Sequence, residues 1–261
     1  MLAGCAKRYT VEGLVLSVNP SSQTILVSHK AIEGVMPAMT MPLRVHEKQQ
    51  LKLLAPGSLI EFELAKMQAR RIRLRLPANE IEQDGRRLVL EPPPQKLQIG
   101  APVPPWKLVD HHQNTLAIGE LQGKVVAIQF LYTRCPVAEI CPRLAATFAR
   151  LQRRFAPFMD RDLVLLSVTL DPRHDTPAVL ARYAQLWGAK SGWRFLTGTE
   201  AEIREVAGQF GILYWPEEGV ITHNSTIGIV NRQGRLAALI EGLSFNAQQL
   251  GDLIAWELGR D

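Results

Sequence analysis

Gln129-Phe130-Leu131-Tyr132-Thr133-Arg134-Cys135-Pro136, followed by Cys141-Pro142, decides how this 261-residue chain is read. Val125 to Tyr132 is an apolar run of strand length, the pattern of a buried strand in an α/β sheet. Pro142 to Phe155 puts Leu144, Phe148, Leu151 and Phe155 on one helical face. The two cysteines therefore fall between a strand and a helix, where such a sheet presents its functional loop. A thiol there feels the positive end of the helix dipole, which lowers its pKa. Pro142 suits the first helical turn, where its missing N–H is not needed. The pair is suited to a reversible disulfide or to holding a soft metal as two thiolates. A structural disulfide and two inert buried thiols are the plainer alternatives. At a spacing of i and i+6 a regular helix would point the thiols to different faces, so Cys135 must lie in a loop that curls back.

Outward from this segment, the pattern from about residue 98 alternates between strand and helix. Leu163 to Leu170 reads as a second apolar strand, and Asp175-Thr176-Pro177 opens a helix. Trp193 to Leu196 is a short strand, Glu200 to Phe210 a helix, and Ser225 to Ile240 a hairpin turning at Asn231 to Gly234. A helix from Asn246 to Leu258 closes the chain. That order is thioredoxin-like. Residues 79–97 change character: Asn79 to Arg87 is polar, and Glu91-Pro92-Pro93-Pro94-Gln95-Lys96 reads as a stiff, extended linker, so a domain boundary is expected there. The first eighty residues are β-rich, with short runs at Val11 to Val18, Thr24 to Val27, Leu59 to Leu64 and Arg71 to Leu76. Turn residues at Asn19 to Ser22 and Pro56-Gly57 punctuate them, which predicts a small barrel.

Hydrophobic residues make up 46% and charged residues 21%, enough for packed cores without staples. The net charge of +5 is spread over pairs such as Arg70-Arg71, Arg86-Arg87 and Arg153-Arg154, which read as solvated faces. With no aromatic-basic stripe and no nucleic-acid motif, the sequence argues against nucleic acid as a partner. No stretch approaches the roughly 20 apolar residues that span a bilayer. The opening Leu2-Ala3-Gly4-Cys5 resembles a bacterial lipobox, although no basic and apolar signal segment precedes it. That resemblance implies residues 1–9 as an anchor lipidated on Cys5, with a stray cysteine as the plain alternative.

The cysteine loop resembles the Sco/SenC family, and so does Ser167-Val168-Thr169-Leu170-Asp171-Pro172-Arg173-His174-Asp175-Thr176-Pro177, close to that family's DPxxDTP segment. His223, a few residues before the strand Ile227 to Val230, stands where the family places its copper-ligating histidine. Ile99-Gly100 and Leu121 to Lys124 fit the redoxin-type opening, so the resemblance covers about 98–261. It implies a thioredoxin fold, one copper ion held by Cys135, Cys141 and His223, and assembly of the copper centre of cytochrome c oxidase. The family's usual CxxxC spacing is replaced here by five intervening residues, Pro136 to Ile140. Asp171 is expected either to orient the copper loop or to cap the turn. His174 is expected to be an exposed loop residue, and His111-His112 a solvated hairpin turn.

A second constellation is His29, Met36, Met39 and Met41. On a strand, positions 39 and 41 share a face, and two thioethers with a nearby imidazole are soft ligands for Cu(I). The alternative is a methionine-filled core patch. The cluster at residues 10–78 resembles the periplasmic copper-binding CusF family, a five-stranded, OB-like β-barrel with histidine, tryptophan and methionine-threonine-methionine ligands. His29, Met39 and Met41 match, while Met36 stands in place of the tryptophan that caps the ion by a cation–π contact, and so becomes a candidate sulfur ligand.

The expected protein has two domains, a small all-β OB-like barrel and an α/β thioredoxin-like fold, with one copper, Cu(I) or Cu(II), per domain. It is expected at the periplasmic face of the bacterial inner membrane, carrying Cu(I) toward a cytochrome c oxidase subunit or another periplasmic copper protein. The competing expectation is a thiol-disulfide oxidoreductase with Cys135 as nucleophile and Cys141 as resolving thiol.

Overall fold

Alternating apolar and polar residues build the first part of the chain: β1 (Tyr9–Asn19), β2 (Thr24–His29), β3 (Met39–Val45), β4 (Leu59–Ala65) and β5 (Gln68–Leu74). The computed structural model describes residues 7–76, 91–217 and 219–260, and the backbone of 80–83 and 86–89. The five strands close into a barrel in the order β1-β2-β3-β5-β4, which leaves no open sheet edge. Their inward residues, among them Val15, Ile25, Val27, Leu43, Ile60 and Phe62, form one core. The β1–β2 turn is held by Asn19, whose Oδ1 accepts from the amides of Ser21 and Ser22 at 3.1 Å. Arginines on and just after β5 meet carboxylates: Arg71 pairs with Glu63 and Arg75 with Glu12.

β6 (Glu80–Gln83) and β7 (Arg86–Val89) pair with each other antiparallel. The polar run Asn79 to Arg87, expected to be part of the linker, thus contributes to a hairpin. A seven-stranded sheet follows, in the order β16-β15-β10-β11-β12-β8-β9. In chain order its strands are β8 (Lys107–Asp110), β9 (Thr115–Ala117), β10 (Val125–Leu131), β11 (Leu163–Thr169), β12 (Trp193–Thr197), β15 (Thr226–Val230) and β16 (Leu236–Glu241). A separate hairpin, β13 (Tyr214–Glu217) and β14 (Val220–His223), precedes β15. β10, β11 and β12 run parallel, and every residue of β10, β11 and β15 is buried, which is why these read as mostly apolar runs without alternation. The helices are α1 (Cys141–Arg154), α2 (Pro177–Leu186), α3 (Glu200–Gln209) and α4 (Ala247–Leu258). Thr176 caps α2 ahead of Pro177, and Thr199 and Glu202 form a capping box on α3.

The chain divides into two units, Met1–Leu76 with Ser244–Trp256, and Pro77–Leu243 with Glu257–Asp261. Most of α4, expected to complete the second domain, is therefore grouped with the barrel. No helix among the described residues is long and apolar enough to cross a membrane. Within the second unit, Gly228 on β15 lies against the buried ring of Phe210; a Cβ there would come within 2.4 Å of Phe210 Cδ1. Gly228→Ala is expected to destabilise the fold by about 1–3 kcal/mol, read as a lower urea midpoint.

Candidate metal centres

The cysteine loop is held from beneath by the turn between β11 and α2. Asp175, fully buried, accepts from the Thr133 amide at 3.0 Å, from Thr133 Oγ1 at 2.5 Å and from Thr169 Oγ1 at 2.5 Å. Asp171 accepts from Arg134 Nη2 at 2.6 Å and Nε at 3.2 Å, one residue before Cys135. Of the two roles open to Asp171, the side chain takes the loop-orienting one, while its backbone carbonyl receives the amides of His174 and Asp175. Asp175 was legible in sequence as a helix opener within the DPxxDTP-like segment, but its contacts with Thr133 and Thr169 were not.

Between Thr133 and Ile140 the chain is loop, as the spacing required, with the Cys135 amide donating to the Tyr132 carbonyl at 3.3 Å. Cys135 is half-buried, and Cys141 is the buried first residue of α1; both are free thiols. The Cys141 thiol, donating to the Cys135 sulfur, draws Cys135 down to about 5 against the opposing effect of its own burial. Cys141 is pushed up, by that same contact first and by burial second, so one proton belongs to the pair.

His223, the last residue of β14, brings its Nε2 to 3.9 Å from Cys141 Sγ. Its Nδ1 donates to the Asn224 carbonyl at 2.7 Å, which leaves the Nε2 lone pair toward the sulfur. Burial lowers its pKa, which favours the neutral imidazole a metal needs. Tyr132 steadies the hairpin: its hydroxyl accepts from the Ile221 amide at 3.3 Å, and its ring meets His223 edge-on at 6.0 Å. The structure thus gathers Cys135, Cys141 and His223 in one place, though among the described residues no three His, Cys, Asp or Glu side chains form a closed metal-sized set.

The other histidines lie apart from this group. His174 is exposed. His111 corrects the expectation of a solvated pair: it is half-buried, accepts from the Phe195 amide at 3.2 Å and packs edge-on against that ring, while His112 is exposed. Burial, the first cause, lowers the His111 pKa.

In the barrel, His29 ends β2 and pairs directly across the ladder with Met39, the first residue of β3, while Val27 pairs with Met41. Pleat alternation therefore puts His29, Met39 and Met41 on one face. His29 Nδ1 donates to the Lys30 carbonyl at 2.7 Å, and its Nε2 is buried without a hydrogen-bond partner. An orphaned imidazole nitrogen on a residue that shares its strand face with two methionines fits a soft cation. On the far side His29 is opposite Gly13, where an added Cβ would fall 2.4 Å from Val27 Cγ1. Met39 is 42% exposed and Met41 is 6% exposed, so one thioether faces the exterior and the other belongs to the core patch. Met36 lies in the loop between β2 and β3, bridged to Ile32 and packed against the core. Cys5 lies outside the described residues.

Comparison with known proteins follows the same division. Residues 95–258 match the SCO1/SenC family model, and residues 8–74 match that of CusF, described as a copper-binding periplasmic protein. A SCO2-like protein of Rickettsia typhi is 29% identical over 140 residues, half of this chain and 65% of that protein. The chain thus spans just under two thirds of that relative's length. Among solved structures, copper-bound ScoI of Arabidopsis thaliana superposes with a TM-score of 0.52 at 22% identity, covering 61% of this chain and 98% of that one. A SCO1/SenC family lipoprotein of Bacillus anthracis gives 0.54 at 22% identity, covering 60% and 94%. These likenesses establish a shared thioredoxin-like fold for the second unit.

Proposed function

The chain belongs to the SCO1/SenC family, whose model matches residues 95–258, and on that premise we propose that it is a periplasmic copper carrier. Its barrel, OB-like in our reading, captures Cu(I) through His29, Met39 and Met41, with Met36 as an additional sulfur; the ion then passes to Cys135, Cys141 and His223, one copper per domain. The observation that carries this reading is a device used twice. In both units a histidine commits Nδ1 to the carbonyl of the next residue, Lys30 or Asn224, and keeps Nε2 for sulfur-rich surroundings. That bond sets tautomer and ring orientation, as ligating histidines require. Copper is the cargo, and thiolates, thioethers and imidazoles suit its softness. The final acceptor we propose is a cytochrome c oxidase subunit or another periplasmic copper protein. Lipidation of Cys5 would hold the carrier at the periplasmic face of the inner membrane.

Titrating Cu(I) against a chromophoric chelator tests this. The full chain is expected to take two equivalents, Cys135→Ser/Cys141→Ser one, and His29→Ala/Met39→Ala one. A wild-type protein that binds no Cu(I) would sink the proposal. The acidified Cys135 beside a proton-holding Cys141 supports a second reading, a thiol-disulfide oxidoreductase acting on cysteines of a periplasmic copper protein. Rapid reduction of a disulfide substrate, with no copper held by the cysteine pair, would favour it.

A further inference from the structure

Three side chains of Ser244–Trp256 hydrogen-bond to one place on the barrel of its own unit. The Asp252 carboxylate accepts from Ser28 Oγ at 2.7 Å and from Thr40 Oγ1 at 3.1 Å. Buried Gln249 closes the cap of α4, its Oε1 accepting from the Asn246 amide, and donates from Nε2 to the Ser28 carbonyl at 3.0 Å. Gln248 Nε2 donates to the Ala38 carbonyl at 3.3 Å. Ser28 and Thr40 are themselves a cross-strand pair, flanked by the pairs His29–Met39 and Val27–Met41. Because side chains alternate, α4 fastens the face of β2 and β3 opposite to the one presenting His29, Met39 and Met41.

His29 and Met39 form the last rung of this ladder, and the nine residues from Lys30 to Ala38 join them. The loop carries its own turn, the Ile32 amide donating to the Met36 carbonyl at 2.9 Å and the Met36 amide to the Ile32 carbonyl at 3.0 Å, but the β2–β3 ladder itself ends at this rung, which frays more readily than the rungs inside it. A soft cation shared between a side chain of β2 and two of β3 feels any such fraying directly. A bridging carboxylate with two directional hydrogen bonds, next to a hydroxyl whose burial makes an unmade bond costly, suits that holding role.

We infer that Ser244–Trp256 is a positioning element for the barrel's soft-ligand site and that Asp252 is its positioning residue, acting through Ser28 and Thr40. The inference rests on the reading of the barrel as a Cu(I) site. The test is done in the full-length Cys135→Ser/Cys141→Ser protein, where only the barrel site titrates, with Cu(I) buffered by bicinchoninate. Failure of this parent to bind one Cu(I), lost again in His29→Ala/Met39→Ala, overturns the underlying reading and the inference with it. Given binding by the parent, Asp252→Ala is expected to raise Kd by about tenfold or more, the usual size of an outer-shell effect. Asp252→Asn keeps one acceptor oxygen and is expected to recover most of the loss. The methyl resonances of Met39 and Met41 in the Cu(I) form are expected to shift in Asp252→Ala and return in Asp252→Asn, which a change in stability alone would not produce. Should Asp252→Ala unfold the barrel by circular dichroism, the decision passes to Thr40→Val, which removes one exposed hydroxyl and is expected to weaken binding several-fold. A folded Asp252→Ala, or in its place Thr40→Val, that binds Cu(I) within twofold of the parent overturns the inference.

Discussion

Asp175→Ala is expected to cost about 3–5 kcal/mol of stability in the reduced, metal-free protein, the combined loss of hydrogen bonds to a buried charged acceptor. The side chain ties three donors, the Thr133 amide, the Thr133 hydroxyl and the Thr169 hydroxyl, and no water reaches it. Alanine leaves all three facing a void. Hydroxyls can rotate to other acceptors, but the Thr133 amide cannot, and Thr133 lies two residues before Cys135. The loop that carries the first cysteine therefore loses its floor. Asp175→Asn should cost roughly half as much, because one oxygen still accepts and the rotating hydroxyls can adapt to the new NH2 group. Urea unfolding under reducing conditions checks both values. A loss below about 1 kcal/mol for alanine would show that the loop is held by Arg134 and Asp171 instead.

The contrast between Asp175 and the cysteines shows what a sequence displays. Cys135, Cys141 and His223 were legible because rare, chemically distinctive residues stood at recognisable places along an alternating pattern. The curl of the loop followed from spacing alone, and the structure has it, with Cys135 in the loop and Cys141 starting α1. His29, Met39 and Met41 were legible in the same way, since strand alternation decides which residues share a face. Asp175 was not, because an aspartate before Thr-Pro is also an ordinary helix opener, and only three-dimensional proximity brings Thr133 and Thr169 onto it. The hairpin β13–β14 escaped for a different reason. Four-residue strands containing Pro216, with a half-buried pattern, carry too little periodicity to be distinguished from loop. The grouping of Ser244–Trp256 with the barrel was beyond reach altogether: amphipathic pattern reveals that a helix has a face to bury, not against which partner.

Alkylation of the reduced, metal-free Cys5→Ser protein is expected to single out Cys135 over Cys141 and to follow an unusual pH profile. With its thiol drawn down to about 5, Cys135 is about 90% thiolate at pH 6, where an ordinary cysteine is about 0.3% ionised. A thiolate of lower pKa is also a weaker nucleophile, by roughly 40-fold over such a shift. The two effects leave Cys135 about tenfold faster than a free thiol at pH 6 and level with it near pH 7. Above that its rate should stay flat while the free thiol's keeps climbing. Cys141, buried and pushed up, should stay unlabelled. Since the donated hydrogen bond from Cys141 is the largest cause of the acidity, Cys141→Ala should move the inflection upward by more than one pH unit. The same pair fixes the sign of the stability profile. Between about pH 5 and the ordinary thiol pKa, the unfolded chain holds both thiol protons while the folded pair holds one. Stability therefore rises with pH through that window and is lost as pH falls toward 5. Above the ordinary thiol pKa the folded pair keeps a proton that the unfolded chain has released, and the trend reverses. A rate for Cys135 that rises tenfold per pH unit from 6 to 8 would mean that the two thiols titrate independently, and the case for a proton-sharing pair would fall.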